Sequence, residues 1–475
     1  MEKQLSVKKA ALINGIGKYS KIAFSILVGA ILARILSPED YGIVAVITVF
    51  STFFTTFSDM GFGSAIIQNK QLTQDDIDNI FSFTVYISIG LMLVFGICSF
   101  PIASFYGNSV YVPLGQLLSI ALLFNALNMV PNGILNRDKK FVSIALRTVV
   151  VYISASIIAI ILALFGFRYY ALVVQSILTA FFQFVWNYAT TRPKFRWKFR
   201  LQSIRKVLNY SAYQFAFNLV NYFSRNLDNL LTGKLMGSAE LGYYNKAYTL
   251  MLYPVNNLTG VVSPVLHPIL SEYQEQKQII YMKYLKIVKL LACIGIYVAP
   301  VCYLGSEEII SILYGNNWSQ SVVCFQLLSI AILPQMINSS AGSIFQALGN
   351  TRLLFANSCI NTIITVFAIL CGVFIGGNIE TLSACVAIAY VFHFCTAFYM
   401  LIKMGFKYKI RFFIKDIAPE LLILVIMIVS VFLYPFSIQN TFLSILVKCL
   451  WLGVFLAFGI FVSKDYKLFV NLVKK

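Results

Sequence analysis

Arg225 and Asp228 stand three residues apart in an otherwise apolar stretch, with Gln214, Asn218 and Asn221 before them and Thr232 after. Their spacing of three and four residues puts all six on one helical face, a polar stripe about 27 Å long at ~1.5 Å per residue. Burying a charge in hydrocarbon costs several kcal/mol, so an ionisable side chain inside such a stretch is a functional candidate by default. The stripe reads either as a helix seam glued by amides, its ion pair self-neutralised, or as the wall of a polar cavity. Three other apolar stretches repeat the pattern: Asn14, Lys18, Lys21 and Ser25; Thr48, Thr52, Thr55 and Asp59; Thr249, Tyr253, Asn256, Gly260, Ser263 and His267. Lys18, Lys21, Arg34, Arg147 and Arg225 outnumber Asp59 and Asp228 by three, which implies an anionic ligand. A pump for organic cations needs the reverse balance. Lys18 and Lys21 can also snorkel to a membrane surface, and His267, followed by Pro268, reads as an interfacial group.

Other chemistries lack their residues. There is no G-x-x-x-x-G-K-[ST] loop for a built-in ATPase and no H-E-x-x-H for a metalloenzyme, and no metal site is expected. Asp75-Asp76-Ile77-Asp78 could mimic a metal-diphosphate motif, but Thr73 with Asp76 makes a capping box that opens a helix. Ser37-Pro38-Glu39-Asp40 is a second capping box, with proline at the first helical position. The nine cysteines lie in or beside apolar runs with no C-x-x-C pair, and read as small buried hydrophobes rather than disulfides.

The elements that must position these groups follow from composition. The chain has 475 residues, 59% apolar and 12% charged, with a mean hydropathy of +0.79. Soluble domains are about 45–50% apolar and about 25% charged, so a soluble enzyme is excluded in favour of a polytopic membrane protein. Windows of about 20 residues suffice to span a bilayer and mark fourteen spans. They include 11–36, 41–67, 110–135, 207–235, 242–270, 320–348, 416–435 and 441–463. Residues 1–10 are charged and the first apolar run is broken by Lys18 and Lys21, so no cleavable signal is expected.

Of the 37 basic residues, 28 fall at the amino terminus, the even-numbered loops and the carboxyl tail, which places both termini in the cytoplasm. The densest basic run, Arg192-Pro-Lys-Phe-Arg-Trp-Lys-Phe-Arg200, lies on that side and reads as a surface helix touching anionic lipid rather than a nucleic-acid site. The chain also repeats itself. Arg34-Ile-Leu-Ser-Pro-Glu-Asp-Tyr-Gly42 matches Lys234-Leu-Met-Gly-Ser-Ala-Glu-Leu-Gly242 at an offset of 200, and Gln116-Leu-Leu-Ser-Ile-Ala121 recurs as Gln326–Ala331. Six spans separate the copies, so the repeat is parallel. Internal symmetry of this kind is a transporter feature, with the ligand site at the repeat interface.

The stretches Ala33–Gly42, Asp59-Met-Gly-Phe-Gly-Ser-Ala65, Ser224-Arg-Asn-Leu-Asp-Asn-Leu-Leu231 and Leu241-Gly-Tyr-Tyr-Asn245 resemble the Wzx-type oligosaccharide flippases, in the branch of colanic-acid and teichuronic-acid exporters. The resemblance runs over nearly the whole chain. It implies an all-α membrane protein with two six-helix, MATE-like lobes, residues 1–200 and 201–410, followed by two additional helices and a cytoplasmic tail over 411–475. It further implies a transporter rather than an enzyme, in a bacterial cytoplasmic membrane, that moves undecaprenyl-pyrophosphate-linked oligosaccharide by alternating access. Arg225, Arg147, Lys21, Lys18 and Arg34 would hold the pyrophosphate, Gln214, Asn218, Asn221 and Asn256 would line the cavity, and Asp59 and Asp228 would couple to H⁺ or Na⁺, with no other cofactor. Expected partners are the lipid-linked glycan, anionic lipids, a polysaccharide polymerase and glycosyltransferases. The competing functions are a MATE-type drug antiporter and a membrane polymerase or ligase.

Overall fold

The structure, a computed structural model, describes residues 7–59, 71–198, 225–259 and 270–463, with side chains from residue 15 to 57 in the first segment, plus isolated positions between segments. Among the described residues every regular element is helical, as the composition requires. Among the described residues ten helices are long and apolar enough to cross a membrane, and a bent pair makes up to eleven. Of the other anticipated spans, 207–235 is described continuously only from residue 225 and 242–270 only to residue 259, and 416–435 contains the 15-residue helix Ala418–Phe432. The chain forms two compact units, residues 1–242 and 243–475.

The first unit contains α1 (Val7–Ile35), α2 (Pro38–Asp59), α3 (Gln74–Tyr106), α4 (Tyr111–Leu127), α5 (Met129–Arg137), α6 (Phe141–Leu164) and α7 (Tyr169–Thr191), then a helical stretch over 225–235 and the first turn of α8 (Ser238–Thr259). Ile43, Val46 and Ile47 of α2 meet Phe95 and Ile102 of α3, Leu114, Leu118 and Leu122 of α4, and Val173 of α7 in one buried cluster. Both capping boxes form. Thr73 Oγ1 accepts the Asp76 N–H at 3.2 Å while the Asp76 carboxylate accepts the Thr73 N–H at 3.2 Å; Ser37 and Asp40 exchange the same bonds at 3.2 and 3.0 Å. Arg168, before α7, then pairs with Asp40 at 3.0 Å and Glu39 at 3.4 Å, tying the start of α2 to that of α7.

The second unit continues α8 and adds α9 (Lys277–Leu304), α10 (Ser306–Tyr314), α11 (Gln320–Ser329), α12 (Ile332–Asn338), α13 (Ala341–Ala347), α14 (Thr351–Leu370), α15 (Ile379–Tyr399), α16 (Ile410–Asp416), α17 (Ala418–Phe432) and α18 (Thr441–Ser463). Its core is built on the buried face of α9, with Tyr284, Val288 and Ile296 against Phe345, Phe398, Met427 and Leu452. Outside the spanning helices, Glu308 of α10 accepts from Ser444 at 2.6 Å and from Lys448. Burial pushes this carboxyl up, but the Lys448 and Ser444 hydrogen bonds and the Lys448 charge outweigh burial and hold it below its ordinary value.

The repeat is visible in matching breaks. Proline lacks an N–H and collides with the carbonyl four residues back. Pro131 accordingly ends α4 at Leu127, and Pro334 ends α11 at Ser329, where the two halves of the span meet at 46°. In each copy of the shared hexapeptide the serine turns back on its own helix, Ser119 to the Gln116 carbonyl and Ser329 to the Gln326 carbonyl, both at 2.6 Å.

Two expectations are corrected. The basic run is not a surface helix: α7 ends at Arg192 in a left-handed conformation (φ 48°), Pro193 follows, and residues 192–198 run without helix along the start of α3. Its backbone donors are met there. Lys194 N–H reaches Asp78 Oδ1 at 3.0 Å, Arg196 N–H reaches Ser82 Oγ at 2.8 Å and Arg200 N–H reaches Asn79 Oδ1 at 3.0 Å. Arg196 also pairs with Asp75 at 2.6 Å, so part of its charge is neutralised within the protein. The cysteines form no disulfide, but only Cys324 is buried, and Cys359 and Cys395 are exposed.

Candidate functional site

Lys18 and Lys21 stand one turn apart on α1, which lies hard against α6. A Cβ on Gly17 would sit 2.7 Å from the Ala145 Cβ, closer than carbon atoms pack, so only glycine permits this approach. Gly15, Gly17, Lys18 and Lys21 of α1 then enclose, with Ala145 and Thr148 of α6, a cavity of about 400 Å³. Both lysines are exposed, and the Lys21 ammonium lies 5.9 Å from the centre of the Tyr152 ring. Two exposed ammoniums three residues apart line the α1 wall, and on the facing wall the Thr148 hydroxyl donates to the Ile144 carbonyl of its own helix at 2.7 Å.

Arg147 belongs to the same helix as Thr148 but is rotated about 100° from it and does not line that cavity. It is 7% exposed, and its Nη1 donates to Asn187 Oδ1 at 2.6 Å and Asn132 Oδ1 at 3.1 Å. Asn187 Nδ2 in turn donates to Asn128 Oδ1 at 2.6 Å, while Arg147 Nε is buried without a hydrogen-bond partner. The guanidinium thus joins α5, α6 and α7 through neutral amides. Asn128, Asn132 and Asn187 were not singled out from the sequence; the signal available was amides four residues apart at a proline break.

The remaining candidates are dispersed. Arg34 is exposed in the last turn of α1, about 20 Å along the helix from Lys21 at ~1.5 Å per residue. Arg225 is exposed, whereas Asp228 and Thr232 are buried at 3% and 0%. Asp228 Oδ1 accepts the Asn229 N–H at 2.8 Å. Among the described residues Arg225 makes no ion pair within 4 Å, so it is not neutralised by Asp228. Asn256 is exposed on α8 in the second unit. Asp59 closes α2; its side chain, together with Gln214, Asn218, Asn221 and His267, lies outside the described residues.

The second unit holds an apolar cavity of about 530 Å³, lined by α9, α11, α12, α15 and α17, including Ile296, Leu333, Phe394, Leu424 and Ile428. Its one ion pair is Lys289 with Glu420 at 3.0 Å, both largely buried. Its walls suit hydrocarbon, not a charged group.

Among the described residues, ten helices long and apolar enough to cross a membrane define a multi-pass membrane protein. The chain belongs to the polysaccharide biosynthesis protein family, whose model matches residues 31–323. It is 22% identical over 378 residues to the lipopolysaccharide biosynthesis protein WzxC of Escherichia coli, covering 75% of this chain and 74% of that one. It is 24% identical over 300 residues to the teichuronic acid biosynthesis protein TuaB of Bacillus subtilis, covering 62% of each. In fold it is similar to the lipid II flippase MurJ in an inward closed conformation, with a TM-score of 0.73, 15% identity, and coverage of 96% of this chain and 99% of that one.

Proposed function

We propose that this protein is a flippase that moves undecaprenyl-pyrophosphate-linked oligosaccharide across the bacterial cytoplasmic membrane for surface polysaccharide synthesis. The observation that carries the reading is the Lys18–Lys21–Thr148 cavity of the first unit, a cationic receptor inside a chain of a polysaccharide biosynthesis family. A pyrophosphate offers anionic oxygens that two ammoniums can bind with charge-assisted hydrogen bonds. Arg225, exposed and without an ion pair among the described residues, is the second anchor, and Arg34 a third contact farther along α1. Arg147 acts by holding α6, and so Thr148, in place. The route is alternating access of residues 1–200 against 201–410, with both termini cytoplasmic. Asp59 and Asp228 are the candidates for H⁺ or Na⁺ coupling, and a polymerase and glycosyltransferases are the partners that use and supply the glycan. The surplus of cations disfavours a drug antiporter.

The test is export in proteoliposomes of lipid-linked oligosaccharide by the full chain. One charge-assisted hydrogen bond is worth about 1.5–3 kcal/mol, so Lys18→Gln with Lys21→Gln should slow export roughly tenfold or more without loss of folded protein, and the double arginine variant should retain export. Arg225→Ala should abolish export, and Arg225→Lys keep part of it, since lysine retains the charge but loses the planar fork. Wild-type export by the double glutamine variant removes this cavity from the mechanism.

A further inference from the structure

The repeat pairs Pro38 with Ser238 and Gly42 with Gly242 at the offset of 200. In the first unit these four residues meet one another. A Cβ on Gly42 would lie 1.6 Å from the Ser238 carbonyl oxygen and 3.1 Å from the Gly242 nitrogen; a Cβ on Gly242 would lie 1.9 Å from the Pro38 carbonyl oxygen. Each glycine therefore packs against the backbone of the residue four positions before the other glycine, a reciprocal contact between the starts of α2 and α8. No side chain separates the two helices there. A methyl group on either glycine would strike a backbone oxygen, which no rotamer change can move aside.

Side chains from both copies of the repeat hold the same contact from its flanks. Tyr106 donates to the Leu230 carbonyl at 3.1 Å, Tyr111 Oη lies 3.5 Å from Ser238 Oγ, and Lys234 donates to the Phe105 carbonyl with its ammonium 4.9 Å from the Phe105 ring centre. Below the glycines, a Cβ on Gly233 would sit 2.8 Å from Val46 Cγ2. At the glycines themselves the contact is backbone to backbone.

We propose that Gly42 and Gly242 form the latch that closes the outward side of this transporter. The inference deepens the proposed function: it rests on the orientation argued there, which puts the loops after the first and seventh spans outside the cell. Alternating access needs a seal at one face that forms completely and releases cleanly. Two backbones in direct contact, related by the internal symmetry, meet both demands. The glycines are thus positioning residues, and their effect is on the balance between closed and open outward faces.

The experiment uses the full chain in proteoliposomes, in a cysteine-replaced background that exports. Thr232→Cys, fully buried one to two turns before α8, reports opening through labelling by a membrane-impermeant maleimide added outside. Gly42→Ala and Gly242→Ala should each raise labelling roughly tenfold, the effect of a one-decade shift in the open population, and should slow export. Gly29→Ala and Gly90→Ala, where a Cβ meets nothing within 4 Å, should change neither. Bridging Tyr111→Cys to Ser238→Cys with a short bismaleimide should stop export and cancel the extra labelling caused by Gly42→Ala. Should an alanine variant fail to fold, the bridge alone decides, because the glycines remain in place. Unchanged labelling in folded alanine variants, or undiminished export by the bridged protein, overturns the latch and makes the contact a static seam. Labelling is read without substrate, so a wild type that moves no lipid-linked oligosaccharide would refute the proposed function and leave the latch standing.

Discussion

A buried guanidinium held by neutral amides alone is the unusual residue-scale feature of the first unit. Arg147 gains its bonds from Asn132 and Asn187, and no carboxylate among the described residues pairs with it. Its removal strands no opposite charge but leaves buried amides short of a donor. A lost hydrogen bond to a charged group costs about 1.5–3 kcal/mol. Arg147→Ala should therefore lower the melting temperature in detergent by several degrees and reduce accumulation, and Arg147→Lys should recover only part, having no fork to reach two amides. An unchanged melting temperature with lost export would instead assign the guanidinium to the substrate. The residue itself stood out in the sequence as an ion in an apolar run. Its partners did not, because 15 and 40 residues separate them from it and nothing local marks them as neighbours.

At the scale of elements, what could be read was what is written locally. The capping boxes at Ser37 and Thr73 need four consecutive residues, and both form; the spans need a hydropathy window, and in two of them a helix ends four or five residues before a proline. The basic run over 192–200 misleads because alternating aromatics and cations suit a surface helix and an extended strap alike. Pro193 was the local sign against a helix, and the acceptors that decide the matter sit more than a hundred residues away on α3. Asp78 is the central acceptor, taking the Lys194 N–H at 3.0 Å and Gln74 Nε2 at 3.2 Å, with Arg196 Nη2 at 3.6 Å. Asp78→Ala should release the strap. Since cleavage of a briefly opened segment follows its open population, and one such bond is worth about 1.5–3 kcal/mol, trypsin should cut within 192–200 at least roughly tenfold faster in inside-out vesicles. Equal cutting of variant and wild type would show that the strap is held by its ion pairs instead.

For the whole molecule, orientation is the property on which the other arguments depend, and it follows from charge and symmetry acting together. Counting Lys and Arg on alternate sides of the anticipated spans assigns 28 of 37 to one face, and such an excess marks the cytoplasmic side. Symmetry adds a constraint that counting lacks. Because Arg34–Gly42 and Lys234–Gly242 are equivalent and six spans apart, they must lie on the same side, and in the first unit Pro38, Gly42, Ser238 and Gly242 do meet at one level. The hexapeptide copies after Tyr106-Gly-Asn and Tyr314-Gly-Asn must likewise start from one face, which makes the residues before α4 and before α11 topologically identical. A reporter fused after Gly315 should therefore be external, while reporters after Lys206 and Lys415 should be cytoplasmic. The Lys206 fusion is the most informative, since it separates the two copies of the repeat: an external reporter there would leave an odd number of spans between them. The copies would then be inverted, the paired glycines could not face one compartment, and both the latch and the direction of glycan movement would have to be assigned anew.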